Sequence, residues 1–184
     1  MSNQLTQSKS NTEKLDRNSW RTPPWLFAWL DSIHNFTVDV CSDDHNHLTK
    51  LYLTKDDDSL SVDWHNLIAT QSTARRPSFS VFCNPPYSRG MKEKFFAKAF
   101  GEMLKGVKTV FVVPSLPSEG WYPYQTATEV TFITGGRVNF HHPETDLPMN
   151  GAPAGTCIIV FDPEQSGFNT RHIDRDSVKK RFTL

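Results

Sequence analysis

Apolar residues recur along this chain at two spacings, and each spacing implies a different element. Trp25, Leu26, Trp29, Leu30 and Ile33 fall three and four apart, the period of one helical face. Thr22 offers a capping oxygen and Pro23 suits a first helical position, so an amphipathic helix is predicted to start there. Phe95, Phe96, Ala99, Phe100, Met103 and Leu104 repeat at the same period, and Gly106 marks the stop. The other apolar runs are short and rich in β-branched residues, as strands are. They cover residues 36–41, 79–83, 109–113, 130–134 and 157–161, with a weaker strand at 51–54 and a short one at 138–140. Residues 69–78 read as a polar loop.

Thr109 to Val113 is almost wholly apolar, as befits a strand covered on both faces of a parallel sheet. Alternating strands and helices predict an α/β fold with a mostly parallel sheet. The later strands have fewer helices between them, which predicts an antiparallel edge. Residues 1–18 are nearly all polar and read as a disordered lead-in. One domain is expected over residues 19–165, followed by a basic tail over 166–184.

Composition narrows the function classes. A chain of 184 residues supports one real core. No run approaches the ~18 apolar residues of a membrane helix, and no apolar signal segment opens the chain. A cytoplasmic protein with no membrane association is expected. Cys41, Cys83 and Cys157 are odd in number and widely spaced, which argues against a disulfide framework or a zinc knuckle. Asp43, Asp44, His45 and His47 form a polar turn, and no metal is expected there. Net charge is zero, so any nucleic-acid surface must be a local basic patch. The candidates are Arg75-Arg76, the group Lys92, Lys94 and Lys98, and the group Lys179, Lys180 and Arg181.

The strongest chemical signal is Asn84-Pro85-Pro86-Tyr87, directly after an apolar strand. Ordinary residue frequencies give on the order of one chance occurrence per thousand chains of this length. Ligands of open α/β sheets sit beyond the carboxyl ends of strands. The residue types suit methylation of an amino nitrogen whose lone pair is delocalised. The Asn84 side-chain oxygen and the Pro85 carbonyl can each accept one amino hydrogen, favouring the tetrahedral nitrogen that develops. Two prolines fix the backbone so that the Pro85 carbonyl is held in place. Tyr87 provides a ring on which an extruded planar base can stack. The motif alone also fits amine methylation of RNA or of protein glutamine.

On these residues, with Trp20-Arg21-Thr22-Pro23 before them and Gly136-Arg137-Val138-x-Phe140 after them, the chain resembles the phage-type, Dam-like DNA N6-adenine methyltransferases. The resemblance implies a Rossmann-like S-adenosylmethionine-dependent methyltransferase fold. It implies S-adenosylmethionine as methyl donor, double-stranded DNA as substrate and adenine N6 as target, with no obligate protein partner evident. Asn84, Pro85, Pro86 and Tyr87 would be catalytic. Trp20, Thr22, Pro23, Asp39 and Asp63 would bind the cofactor. Apart from the resemblance, Asp56-Asp57-Asp58 reads first as a solvated loop, and one of the three could bind the cofactor ribose as an acid after the second strand does in dinucleotide folds. The chain departs from most methyltransferases after the first strand, where Cys41-Ser42-Asp43-Asp44 stands in place of a glycine-rich turn. That departure keeps open a methyltransferase-like DNA-binding module without cofactor.

Overall fold

The computed structural model describes residues 19–73, 78–150, 152 and 154–183. The polar lead-in and Arg75-Arg76 lie outside these residues. Seven strands form one sheet: β1 (Val38–Asp39), β2 (Leu51–Tyr52), β3 (Ser80–Cys83), β4 (Lys108–Pro114), β5 (Glu129–Thr134), β6 (Thr156–Phe161) and β7 (Asn169–Asp174). Their order across the sheet is β2-β1-β3-β4-β6-β5-β7. The sheet is mostly parallel. Antiparallel pairing is confined to β6, which runs against β4 on one side and β5 on the other. β1 is short as a ladder, yet Thr37 and Val40 extend it by donating to the carbonyls of Ser80 and Phe82.

Alternation along the strands sorts the core into two layers. Val81, Cys83, Phe111 and Val113 face one side, where α2 (Trp64–Gln71) and α3 (Met91–Met103) bury Trp64, Ile68, Phe95 and Phe96. Phe82, Val110 and Val112 face the other, where α1 (Pro24–His34) and α4 (Arg175–Phe182) bury Leu26, Leu30 and Val178. Period-two burial on both faces is what a helix-covered sheet requires. Trp64 is fully buried and its indole N–H donates to the Ser59 carbonyl at 2.9 Å. Trp64→Ala is therefore expected to cost about 3–5 kcal/mol, read as a lower midpoint in urea unfolding.

Four sequence expectations need correction. α1 starts one residue later than predicted: Pro23 takes the cap and Pro24 the first turn, and no side chain caps the helix. Thr22 is diverted to another partner, described below. α2 occupies the stretch from Trp64 onwards and ends at Gln71, inside the predicted loop. Its cap is Asp63, whose carboxylate accepts from the Asn66 N–H at 2.8 Å. Residues 138–140 form no strand: Val138 and Phe140 are buried against α1, but their backbone joins no ladder. The expected basic tail instead carries β7, which continues the sheet beside β5, and α4, which packs on α1.

Candidate active site

The Asn84-Pro85-Pro86-Tyr87 loop leaves the carboxyl end of β3, next to the carboxyl end of β1. A cavity of about 570 Å³ opens there, within the usual size of small-molecule sites. Trp20, Thr22, Asp39, Asn84, Pro85 and Pro86 all line it. Residues 62 positions apart thus meet because α1 crosses the sheet with its N-terminus at the carboxyl edge. Asn84 Nδ2 donates to Thr22 Oγ1 at 3.2 Å and to the Trp20 carbonyl at 3.5 Å. A carbonyl can only accept, so the amide nitrogen must face Trp20 and Oδ1 must point the other way. Thr22, 5% exposed, thereby fixes the orientation of the Asn84 amide. Thr22→Val keeps the shape and removes that partner. It is expected to lower turnover about fivefold, the net worth of one hydrogen bond, with Thr22→Ser restoring most of the rate.

Tyr87 closes the group from the far side. Its hydroxyl donates to Asn84 Oδ1 at 3.3 Å, and burial pushes the phenol's pKa up, so it stays a donor. Its ring lines a separate cleft of only about 30 Å³ with Trp20, Pro114 and Phe140. That volume is the share of one water molecule in the liquid, so the cleft must open before it can take a base. Trp20 borders both spaces, and its indole N–H is buried without a hydrogen-bond partner among the described residues.

Asp39 sits at the carboxyl end of β1, 2% exposed. Its two oxygens accept from the backbone N–H groups of Cys41 and Leu48, each at 3.2 Å. Burial pushes its pKa up to about 7, with the two N–H groups working in the opposite direction. Cys41 lies beside it on the cavity wall, 3.4 Å from the buried Cys83 sulfur, and both are free thiols. Burial raises the Cys83 pKa, so this thiol is an inert neutral group.

Beyond β2, the three aspartates have distinct fates. Asp57 closes a capping box with Thr54, and Asp58 accepts from Ser61 Oγ. Asp56 lines the cavity, and its carboxylate has no partner among the described residues. The turn before β2 is likewise built from its own side chains: Asp44 accepts from the Tyr52 hydroxyl, and the His47 ring stacks on Tyr52 at 4.1 Å. Two residues offered for the cofactor are not brought to the cavity. Pro23 caps α1, and Asp63 caps α2 while pairing with Lys105 at 2.8 Å. The preference of Asp for N-caps was the signal that could have placed Asp63.

The model of the DNA N-6-adenine-methyltransferase (Dam) family matches residues 9–181. The chain belongs to this family. A DNA N-6-adenine-methyltransferase of Haemophilus phage HP1 (strain HP1c1) is 28% identical over 164 residues, covering 85% of this chain and 86% of the relative. The family match spans β7 and α4 up to residue 181. Among the described residues, no helix is long and apolar enough to cross a membrane.

Proposed function

We propose that this protein transfers a methyl group from S-adenosylmethionine to the N6 amino group of adenine at specific sites in double-stranded DNA. The observation that carries the reading is the anchored Asn84 amide, with Oδ1 turned from Trp20, at a cavity that Pro85 and Pro86 also line. The cavity chemistry fits the cofactor: a buried carboxylate at Asp39 and, among the described residues, an unpartnered buried indole N–H at Trp20 and an unpaired carboxylate at Asp56. Trp20, Thr22 and Asp39 would hold the methionine end, with Asp39 facing its positive charge. Asp56 would take the ribose hydroxyls, as an acid after the second strand does in dinucleotide folds. When bound, S-adenosylmethionine would supply an electrophilic methyl group, keeping the electron pair of the broken carbon–sulfur bond as a neutral thioether, and the amino nitrogen would lose one proton to water.

The chain's own residues do the rest. An adenine turned out of the duplex opens the Tyr87 cleft and stacks on that ring. Tyr87 then releases Asn84 Oδ1, which accepts one amino hydrogen while the Pro85 carbonyl accepts the other. Both acceptors stabilise positive charge as it grows on nitrogen. Holding the amine at the cavity mouth supplies the orientation that a solution encounter lacks. No general base is needed.

The test is expression in a host without adenine methylases, followed by mass spectrometry of digested DNA. N6-methyladenine is expected with the wild type. Folded protein that leaves the DNA unmodified but labels RNA or protein from labelled cofactor would replace the DNA reading with another amine substrate.

A further inference from the structure

A second concavity, about 680 Å³, lies on the same edge of the sheet and is separate from the cofactor cavity. It runs between the N-terminal part of α1, α4 and residues 137–148. Four permanent cations line it, Arg137, Arg175, Lys179 and Arg181, together with His141, and no carboxylate does among the described residues. In a chain of zero net charge, that segregation is the clearest positive feature outside the site already described.

The groove is built rather than accidental. Arg137 follows the Gly135-Gly136 turn at the end of β5, and its guanidinium donates to the Ala152 carbonyl. Arg175 Nη1 donates to the Arg137 carbonyl at 2.8 Å, and its Nε to Asp176 at 2.8 Å. A Cβ at Gly136, which has φ +141°, would overlap that guanidinium. Glycine there lets the arginine lie against the backbone. Lys179 stands one helical turn after Arg175 on α4, and Arg181 follows. Both are exposed, and neither makes an ion pair among the described residues.

The groove is also joined to the active site. Arg21 and His141 exchange backbone hydrogen bonds at 3.0 and 2.9 Å. Arg21 lies between Trp20 and Thr22, which hold Asn84, while His141 lines the groove. The groove is thus one backbone pairing away from the segment that holds Asn84.

We infer that this groove binds the sugar-phosphate backbone of the duplex flanking the target adenine, with Lys179 and Arg181 contacting phosphates and Arg137 and Arg175 forming its fixed floor. The inference rests on the DNA reading above. Phosphate contacts carry no sequence information and set register and orientation. Each one releases counterions, so log affinity falls with log salt by about 0.9 per contact.

The experiment compares wild type with a Lys179→Gln/Arg181→Gln double variant. It measures duplex binding by fluorescence anisotropy across a salt series, and KM for DNA in methylation. The double variant is expected to lose roughly two from the salt slope and to raise KM for DNA about tenfold. Lys180→Gln removes one charge from the same helix outside the groove, and it is expected to shift the slope by well under half of the double variant's loss. Equal slopes for the wild type and a folded double variant would overturn the groove assignment while leaving the methyltransferase reading intact. Equal competition by duplex RNA would overturn the assignment to DNA. A folded wild type that methylates no DNA would instead overturn the functional reading on which the inference rests.

Discussion

Asn84→Ala is expected to reduce DNA methylation by at least a hundredfold to a thousandfold while leaving S-adenosylmethionine affinity within a few-fold of wild type. The magnitude is that of removing one preorganised acceptor or donor aimed at developing charge. The selectivity follows from geometry. Asn84 is tied to Thr22 and the Trp20 carbonyl through its nitrogen and to Tyr87 through its oxygen. None of those bonds involves the buried Asp39 or the exposed Asp56, which also line the cavity. Removing the amide therefore deletes an acceptor for the amine and leaves the cofactor wall standing. Asn84→Asp makes a second test, since it keeps an acceptor but places negative charge against the Trp20 carbonyl, and it should lose cofactor affinity as well as rate. Titration of the cofactor and single-turnover methylation separate these outcomes. Parallel loss of both properties in Asn84→Ala would sink the role given to Asn84.

The core strands and the position of the Asn84-Pro85-Pro86-Tyr87 loop at a strand end were legible in the sequence because both are local signals. Phe79 to Cys83 and Thr109 to Val113 declare themselves by composition, and β3 and β4 fall there. Asn84-Pro85-Pro86-Tyr87 declares itself by rarity. α3 was legible from its period, and the structure places its start at Met91, before the first periodic phenylalanine. What stayed hidden depends on tertiary partners. Thr22 fits an N-cap by local rules, yet the chain uses its hydroxyl on Asn84, 62 residues away. α2 carries only a weak apolar face, and its fixing points are the Asp63 cap, the buried Trp64 and the N–H of His65 donating to Glu102. β7 exposes most of its side chains and lacks the apolar alternation that marks a strand. Its ladder with β5 supplies what its composition does not. Among Asp56, Asp57 and Asp58, only the folded turn shows which carboxylates are already engaged.

Asp39 should make the unliganded protein lose stability as pH rises from about 4 to about 7, and Asp39→Asn should abolish that loss. The sign follows from where the proton is held. Folded Asp39 has a pKa near 7 against 3.8 for the free side chain. Between those values the folded state binds a proton that the unfolded state has released, so stability falls with pH, by up to about 1.4 kcal/mol per unit. Below about 4 both states are protonated, and above about 7 both are ionised, so the contribution is flat at either end. The variant also leaves one backbone N–H, of Cys41 or Leu48, facing an amide nitrogen, a penalty on the order of 1–3 kcal/mol that does not depend on pH. The diagnostic is therefore the difference in Tm between variant and wild type. It should climb from pH 4 to 7 and level off, whatever its starting sign. Cofactor binding should move the opposite way. A cation placed against Asp39 favours the ionised form, so wild-type affinity should rise as pH approaches 7 and saturate above it. Asp39→Asn should bind more weakly at pH 8 and respond little to pH. Calorimetric titration of S-adenosylmethionine across that range, beside the melting series, checks both halves. A variant that melts with the expected pH trend yet binds cofactor as tightly as wild type would leave Asp39 a buried acid of the fold and take the cofactor's charge away from it.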